Sequence, residues 1–179
     1  GGYLGRQVVA ALAEQLASDV QRRVVSLDVR DVPAADRVPG VHYAAADIRD
    51  PGLAALLSEH RIDTVVHLAA IVTPGGKSNR EFEYQVDVEG TRNVLQACVA
   101  AGVRHVVISS SGAAYGYHAD NPAWLTETDA IRGNHEFAYS WHKRLVEEML
   151  ADYRARQPQL RQTILRIGTI LGATVNNQI

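Results

Sequence analysis

Tyr139 and Lys143 stand four residues apart in a chain of 179 residues that holds only two lysines, Lys77 and Lys143, and seven tyrosines. The stretch from Tyr139 to Arg156 has helical periodicity, and positions i and i+4 of a helix share one face. A phenol beside an ammonium is expected to ionise below its reference pKa of roughly 10. That marks Tyr139 as a candidate proton-transfer group rather than a packing aromatic. Three hydroxyls, Ser109–Ser111, follow an apolar run at the end of a predicted strand.

The elements that must position these groups alternate in type. The pattern predicts helices at Val8–Ala17, Pro51–His60, Asn79–Ala101 (closed by Gly102) and Tyr139–Arg156. Strands are predicted at Arg23–Asp28, Val41–Ala44, Thr64–Leu68, Arg104–Ser109 and Thr163–Arg166, with a polar loop from Ser110 to Phe137. Helix and strand in alternation point to an α/β fold with a doubly wound parallel sheet. Strands of such a sheet read as continuous apolar runs because helices cover both faces. Ligands bind there at the carboxyl ends of the strands, which draws attention to Asp28, Asp47, Ala69-Ala70, Ser109–Ser111 and Ile167–Thr169. No linker divides residues 1–179, so one domain is expected.

Gly1, Gly2 and Gly5 lead directly into the first helix. Glycines at a helix N-terminus make a phosphate cradle: backbone N–H groups and the helix dipole favour an anion, and the missing Cβ permits close approach. A plain turn would also explain two glycines. Asp28, ending a strand 23 residues after Gly5, has the spacing of a carboxylate that bonds ribose hydroxyls. A dinucleotide fold begins with a central strand lying between those at 23–28 and 64–68. The sequence starts after it, so an incomplete record is expected.

Composition excludes several classes. Net charge is −2 and the pI about 6.4, which leaves no basic footprint for nucleic acid. No apolar run reaches the roughly 18 residues of a membrane span. The seven histidines show no metal-ligand spacing. Cys98 stands alone and fits a reducing, cytoplasmic compartment. It reads as an inert core thiol, and His67 as a hydrogen-bonded core histidine. Pro74–Lys77 reads equally as a mobile loop over the site or a surface turn.

In this order and spacing the residues resemble the extended short-chain dehydrogenase/reductase family, the NAD-dependent epimerase/dehydratase group. Gly1-Gly2-Tyr3-Leu4-Gly5 is similar to the end of T-G-x-x-G-[YF]-[LI]-G, and His67-Leu68-Ala69-Ala70 to H-x-A-A. Val88–Thr91 is similar to N-V-x-G-T, Ser109–Gly116 to S-S-[ST]-x-x-x-Y-G, and Tyr139 with Lys143 to Y-x-x-x-K. The resemblance implies a Rossmann-type domain over residues 1–179, with its first strand and most of a C-terminal substrate region outside the chain. It implies a cofactor path through Gly2, Tyr3, Leu4, Gly5, Asp28, Asp47, Ile48, Leu68, Ala69, Ala70, Tyr139 and Lys143. The implied cofactor is NAD, favoured by Asp28, while Arg30 leaves room for NADP. Ser111 would bond the reacting oxygen, Tyr139 would pass its proton, and Lys143 would lower the tyrosine pKa and bond the nicotinamide ribose.

The implied function is an epimerase or dehydratase acting on a nucleotide sugar. A dehydrogenase or reductase of a non-nucleotide alcohol and a non-catalytic dinucleotide sensor are the alternatives. The family also implies a homodimer through helices 79–101 and 139–157. Three positions depart from its pattern. Asp87 replaces the Asn of N-V-x-G-T, and Thr169 replaces an Asn near the substrate diphosphate. His142 replaces a Ser before the Lys, and its side chain is expected to point away from the cofactor.

Overall fold

Short β-branched runs become parallel strands, and the segments between them become helices. The structure is a computed structural model and describes residues 2–18, 22–72, 79–173 and 175. The strands are β1 (Val24–Asp28), β2 (Val41–Ala45), β3 (Thr64–His67), β4 (His105–Ser111) and β5 (Arg161–Ile167). The helices are α1 (Tyr3–Glu14), α2 (Leu53–Glu59), α3 (Arg80–Tyr84), α4 (Thr91–Ala100) and α5 (Ala138–Arg156). β1 pairs with β2, Val24 opposite Val41. β4 lies between β3 and β5, with Thr64 opposite His105 and Ser111 opposite Ile167. All pairings are parallel, as the alternation of elements predicts.

Among the described residues no strand joins the β1–β2 pair to the β3–β4–β5 sheet. The break falls where the sequence reading places a central strand. β3 borders it and is less covered than expected, with Val66 38% exposed. β4, paired on both sides, alternates between buried and half-buried side chains.

The core gathers around β4. Val106 and Ile108 pack with Leu53 and Leu57 of α2, Val94, Leu95 and Cys98 of α4, and Val146, Met149 and Leu150 of α5. Each such side chain contributes about 1.5–3 kcal/mol by leaving water. Burial pushes the Cys98 thiol up to about 12, which agrees with an inert core cysteine.

The helix expected over 79–101 is not uniform. Asn79 caps α3 by accepting from the Phe82 N–H at 2.8 Å. The chain then widens into a π turn at Gln85–Gly90 before α4 resumes. Such π turns are frequent at functional sites. Here the turn buries Asp87, and Gly90 lets α4 seat against Ile48: a Cβ at Gly90 would lie 2.6 Å from Ile48 Cδ1. Gly102, with φ +70°, ends the helical run as expected. Pro51 precedes the N-cap Gly52 instead of occupying the first turn. β4 runs on to Ser111 and continues as a 3₁₀ turn at Gly112–Tyr115, so the start of the expected loop is regular structure. Gly116 follows with φ +80°, where a Cβ would meet Gly133 O at 2.7 Å. Pro74–Lys77 and Gly1 lie outside the described residues.

Candidate active site

β4 delivers Ser111 at its carboxyl end, and α5 delivers Tyr139 and Lys143 from its first turns. The Ser111 hydroxyl accepts from the Ala113 N–H at 3.1 Å and stands near enough to the Tyr139 phenol to act on its ionisation. Ser140 fixes the approach of the two elements. Its hydroxyl, fully buried, donates to Ala113 O at 2.6 Å and accepts from the Asn134 N–H at 2.9 Å. Lys143 Nζ donates to Ser109 O at 2.8 Å and lies 5.5 Å from the centre of the Tyr139 ring. The three residues proposed from sequence are therefore brought together.

Their electrostatics differ from expectation in one respect. Tyr139 is held above its ordinary range: burial raises it most, and the nearby Ser111 hydroxyl opposes burial without reversing it. The ammonium does not produce the expected lowering, because Nζ is committed to Ser109 O and faces the ring instead of the hydroxyl. Burial lowers Lys143, while Asp87 and Glu147 act to raise it.

A second correction concerns His142. It is 2% exposed and its Nδ1 lies 3.0 Å from Asp87 Oδ2, so the side chain turns into the site floor. Asp87 Oδ1 accepts from the Ile71 N–H at 2.8 Å. The Asp87 carbonyl accepts from Thr91 Oγ1 at 2.6 Å. Thr91 Oγ1, having donated there, accepts from His67 Nε2 at 2.9 Å, which assigns the His67 proton to Nε2. His67 is thus the hydrogen-bonded core histidine expected, and burial pushes its pKa down to about 4. A narrow cavity is lined by Ala69, Ala70, Asp87, Ser109, His142 and Lys143. It brings two of the predicted cofactor residues to the lysine.

Sequence reasoning passed over the support behind the triad. Glu147, one turn beyond Lys143, is buried and accepts from Ser110 Oγ at 2.5 Å. Arg166 grips the same carboxylate through Nε and Nη2 and reaches Tyr115 Oη with Nη1 at 2.7 Å. The carboxylate raises the Arg166 pKa further. The one available signal was a Glu four residues after Lys143 on the same helical face.

The predicted dinucleotide half is partly assembled. Gly2 is the N-cap of α1, and open space surrounds the positions where Cβ atoms would stand at Gly2 and Gly5. α1 has no side-chain cap and no acidic residue in its first turn. Its leading N–H groups therefore fit a diphosphate. Tyr3 is half-buried, its hydroxyl set against Gly172, and Leu4 is half-buried beside it. Asp28 ends β1 and accepts from the Arg30 N–H at 2.9 Å, with Arg30 Nε 3.9 Å away. The Asp47 carboxylate is taken by the Arg49 guanidinium, Nη2 at 2.6 Å, which lowers its pKa. Asn93 Nδ2 holds Ile48 O at 2.7 Å. Leu68 follows β3 and is half-buried. Thr169 is exposed two residues beyond β5 and makes no hydrogen bond to the triad among the described residues.

The profile of the NAD dependent epimerase/dehydratase family matches residues 1–179. The chain belongs to this family. Curated relatives include a UDP-glucose 4-epimerase of Erwinia amylovora, 30% identical over 99% of the chain and 53% of the relative. A short-chain dehydrogenase/reductase superfamily protein from Agrobacterium tumefaciens, solved with bound NAD, is 32% identical with a TM-score of 0.72, over 92% of this chain and 46% of that one. A UDP-glucose 4-epimerase from Stenotrophomonas maltophila, solved with NAD and formylated UDP-arabinopyranose, is 28% identical with a TM-score of 0.71, over 94% and 56%. The chain spans about half the length of the relatives it matches. These likenesses support the extended short-chain dehydrogenase/reductase assignment and the Rossmann-type fold.

Among the described residues no group of three His, Cys, Asp or Glu side chains could hold a metal ion. Among the described residues no helix is long and apolar enough to cross a membrane.

Proposed function

We propose that the protein containing this chain is an NAD-dependent epimerase or dehydratase of a nucleotide sugar, with Ser111, Tyr139 and Lys143 as its proton-transfer site. The observation that carries the reading is the approach of Ser111 to Tyr139 above a buried lysine, beside the Ala69-Ala70 cavity. Residues 1–179 form its dinucleotide-binding domain. The Gly2–Gly5 turn would hold the diphosphate, Asp28 the adenosine ribose, Asp47 and Ile48 the adenine, and Leu68–Ala70 with Lys143 the nicotinamide end. Bound there, NAD supplies a hydride acceptor and donor and a positive charge that favours a nearby phenolate.

The residues of the chain then manage the proton. Ser111 bonds the substrate oxygen and orients it toward Tyr139. Tyr139 takes the hydroxyl proton as the adjacent C–H bond is broken, and returns it when the carbonyl is reduced again. Lys143 fixes the tyrosine ring and meets the cofactor ribose.

Two further parts complete the reading. The family names and bound ligands of the relatives support a nucleotide-sugar substrate, and the sole cysteine, free and buried, fits a cytoplasmic location. A homodimer through helices 79–101 and 139–157 is supported by exposed Phe82 on α3 and by Trp141 and Leu145 left half-buried on α5.

The test of the reaction is Tyr139→Phe in the whole protein. Hydride transfer falls by about 10²-fold or more, while NAD binding persists. Equal turnover in variant and parent refutes the assignment.

A further inference from the structure

We propose that Asp87 and His142 act as one positioning unit for Lys143, clamping the loop after β3 to the start of α5 from beneath the site. The inference rests on the reading above in taking Lys143 as a reactive-site residue. Both Asp87 oxygens are occupied: Oδ1 by the Ile71 N–H at 2.8 Å and Oδ2 by His142 Nδ1 at 3.0 Å. A carboxylate only accepts, so His142 Nδ1 carries the proton in this contact. Ile71 directly follows the Leu68–Ala70 segment, and His142 directly precedes Lys143. One carboxylate therefore holds both walls of the cavity that Lys143 lines. The two side chains are almost wholly buried, at 4% and 2% exposure, so neither has water as a substitute partner. They are also two of the three positions that depart from the family pattern, and they are partners of each other.

The charges around Lys143 sharpen the role. The titratable groups facing it are Asp87 from the π turn, His67 from β3, and Tyr139, His142 and Glu147 from its own helix. β4 offers only the Ser109 carbonyl. Glu147 is already matched by Arg166 from β5. Asp87 is the remaining carboxylate whose charge the buried ammonium answers.

Three variants of the whole protein test this. Asp87→Asn keeps an acceptor for Ile71 but removes the charge. His142→Asn places an amide N–H close to the position of Nδ1. His142→Leu removes the donor. NMR of lysine labelled with ¹³C at Cε, assigned through Lys143→Arg, reads the Lys143 titration directly. Its midpoint moves to lower pH in Asp87→Asn and stays in place in His142→Asn. Amide exchange at Ile71 rises about tenfold in His142→Leu and stays at the parent level in His142→Asn. In turnover, Asp87→Asn combined with His142→Leu costs no more than the larger single change, because contacting partners are not additive. An unmoved Lys143 midpoint in Asp87→Asn, or Ile71 exchange that His142→Leu leaves untouched, overturns the proposal. A parent protein that transfers no hydride overturns the reaction assigned above, and the two spectroscopic readouts then decide the pair by themselves.

Discussion

Arg166 and Glu147, one on β5 and the other on α5, meet in a two-pronged ion pair with Nη2 2.7 Å from Oε2. The carboxylate is 4% exposed and the guanidinium 20%. Removing one member of such a pair leaves a charge with no equal partner, a cost of about 3–5 kcal/mol. Glu147→Gln is therefore expected to lower the denaturation midpoint sharply. Replacing both residues, Glu147→Leu with Arg166→Met, recovers most of the loss because no charge is stranded. Urea unfolding of the three proteins checks this, and a double variant no more stable than Glu147→Gln contradicts it.

His67 sets an acid limit on stability. Its folded pKa of about 4 lies below the roughly 6.5 of an unfolded histidine. Below pH 6.5 the unfolded chain takes up a proton that the folded chain refuses. Stability is complete above that value, declines as pH falls, and levels off once the folded pKa is passed. The full effect is about 3 kcal/mol, at about 1.4 kcal/mol per unit. His67→Gln keeps a donor for Thr91 without titrating, so it is expected to flatten the decline between pH 6.5 and 4. Unfolding free energies with the same slope in variant and parent would rule out His67 as the cause.

The proposed dimer places α3, α4 and α5 of two copies together. Sedimentation of the whole protein at micromolar concentration is expected to give twice the monomer mass. Trp141→Glu, which adds a charge to that face, is expected to shift the balance toward monomer. A monomer mass for the parent removes the interface.

Much of this was legible in the chain because local chemistry wrote it. Gly102 after an apolar helix predicts a stop, and the backbone there has a positive φ. The β-branched run through Val106 and Ile108 predicts a buried strand, and both residues are core. The Tyr139–Lys143 spacing predicts a shared face, and the two do meet. What spacing could not say is where a flexible ammonium would settle. It settles on Ser109 O, 34 residues away, so burial governs the tyrosine instead. The Asp87–His142 contact spans 55 residues and joins two positions that each look like an isolated exception. Their joint departure from one pattern was the only trace of it. The π turn could not be read from periodicity, because the five residues of α3 before it are too few to define a face whose shift would show.

Lys143 is 7% exposed, and the chain carries only one other lysine. Its surface positive charge is carried almost entirely by arginine, which reagents selective for amines ignore. Acylation within these 179 residues therefore has two side-chain targets, Lys77 and Lys143. Modification of Lys143, resolved from Lys77 by peptide mapping, then becomes a counter for how often its buried surroundings open, and protection by a bound ligand a measure of what fills them.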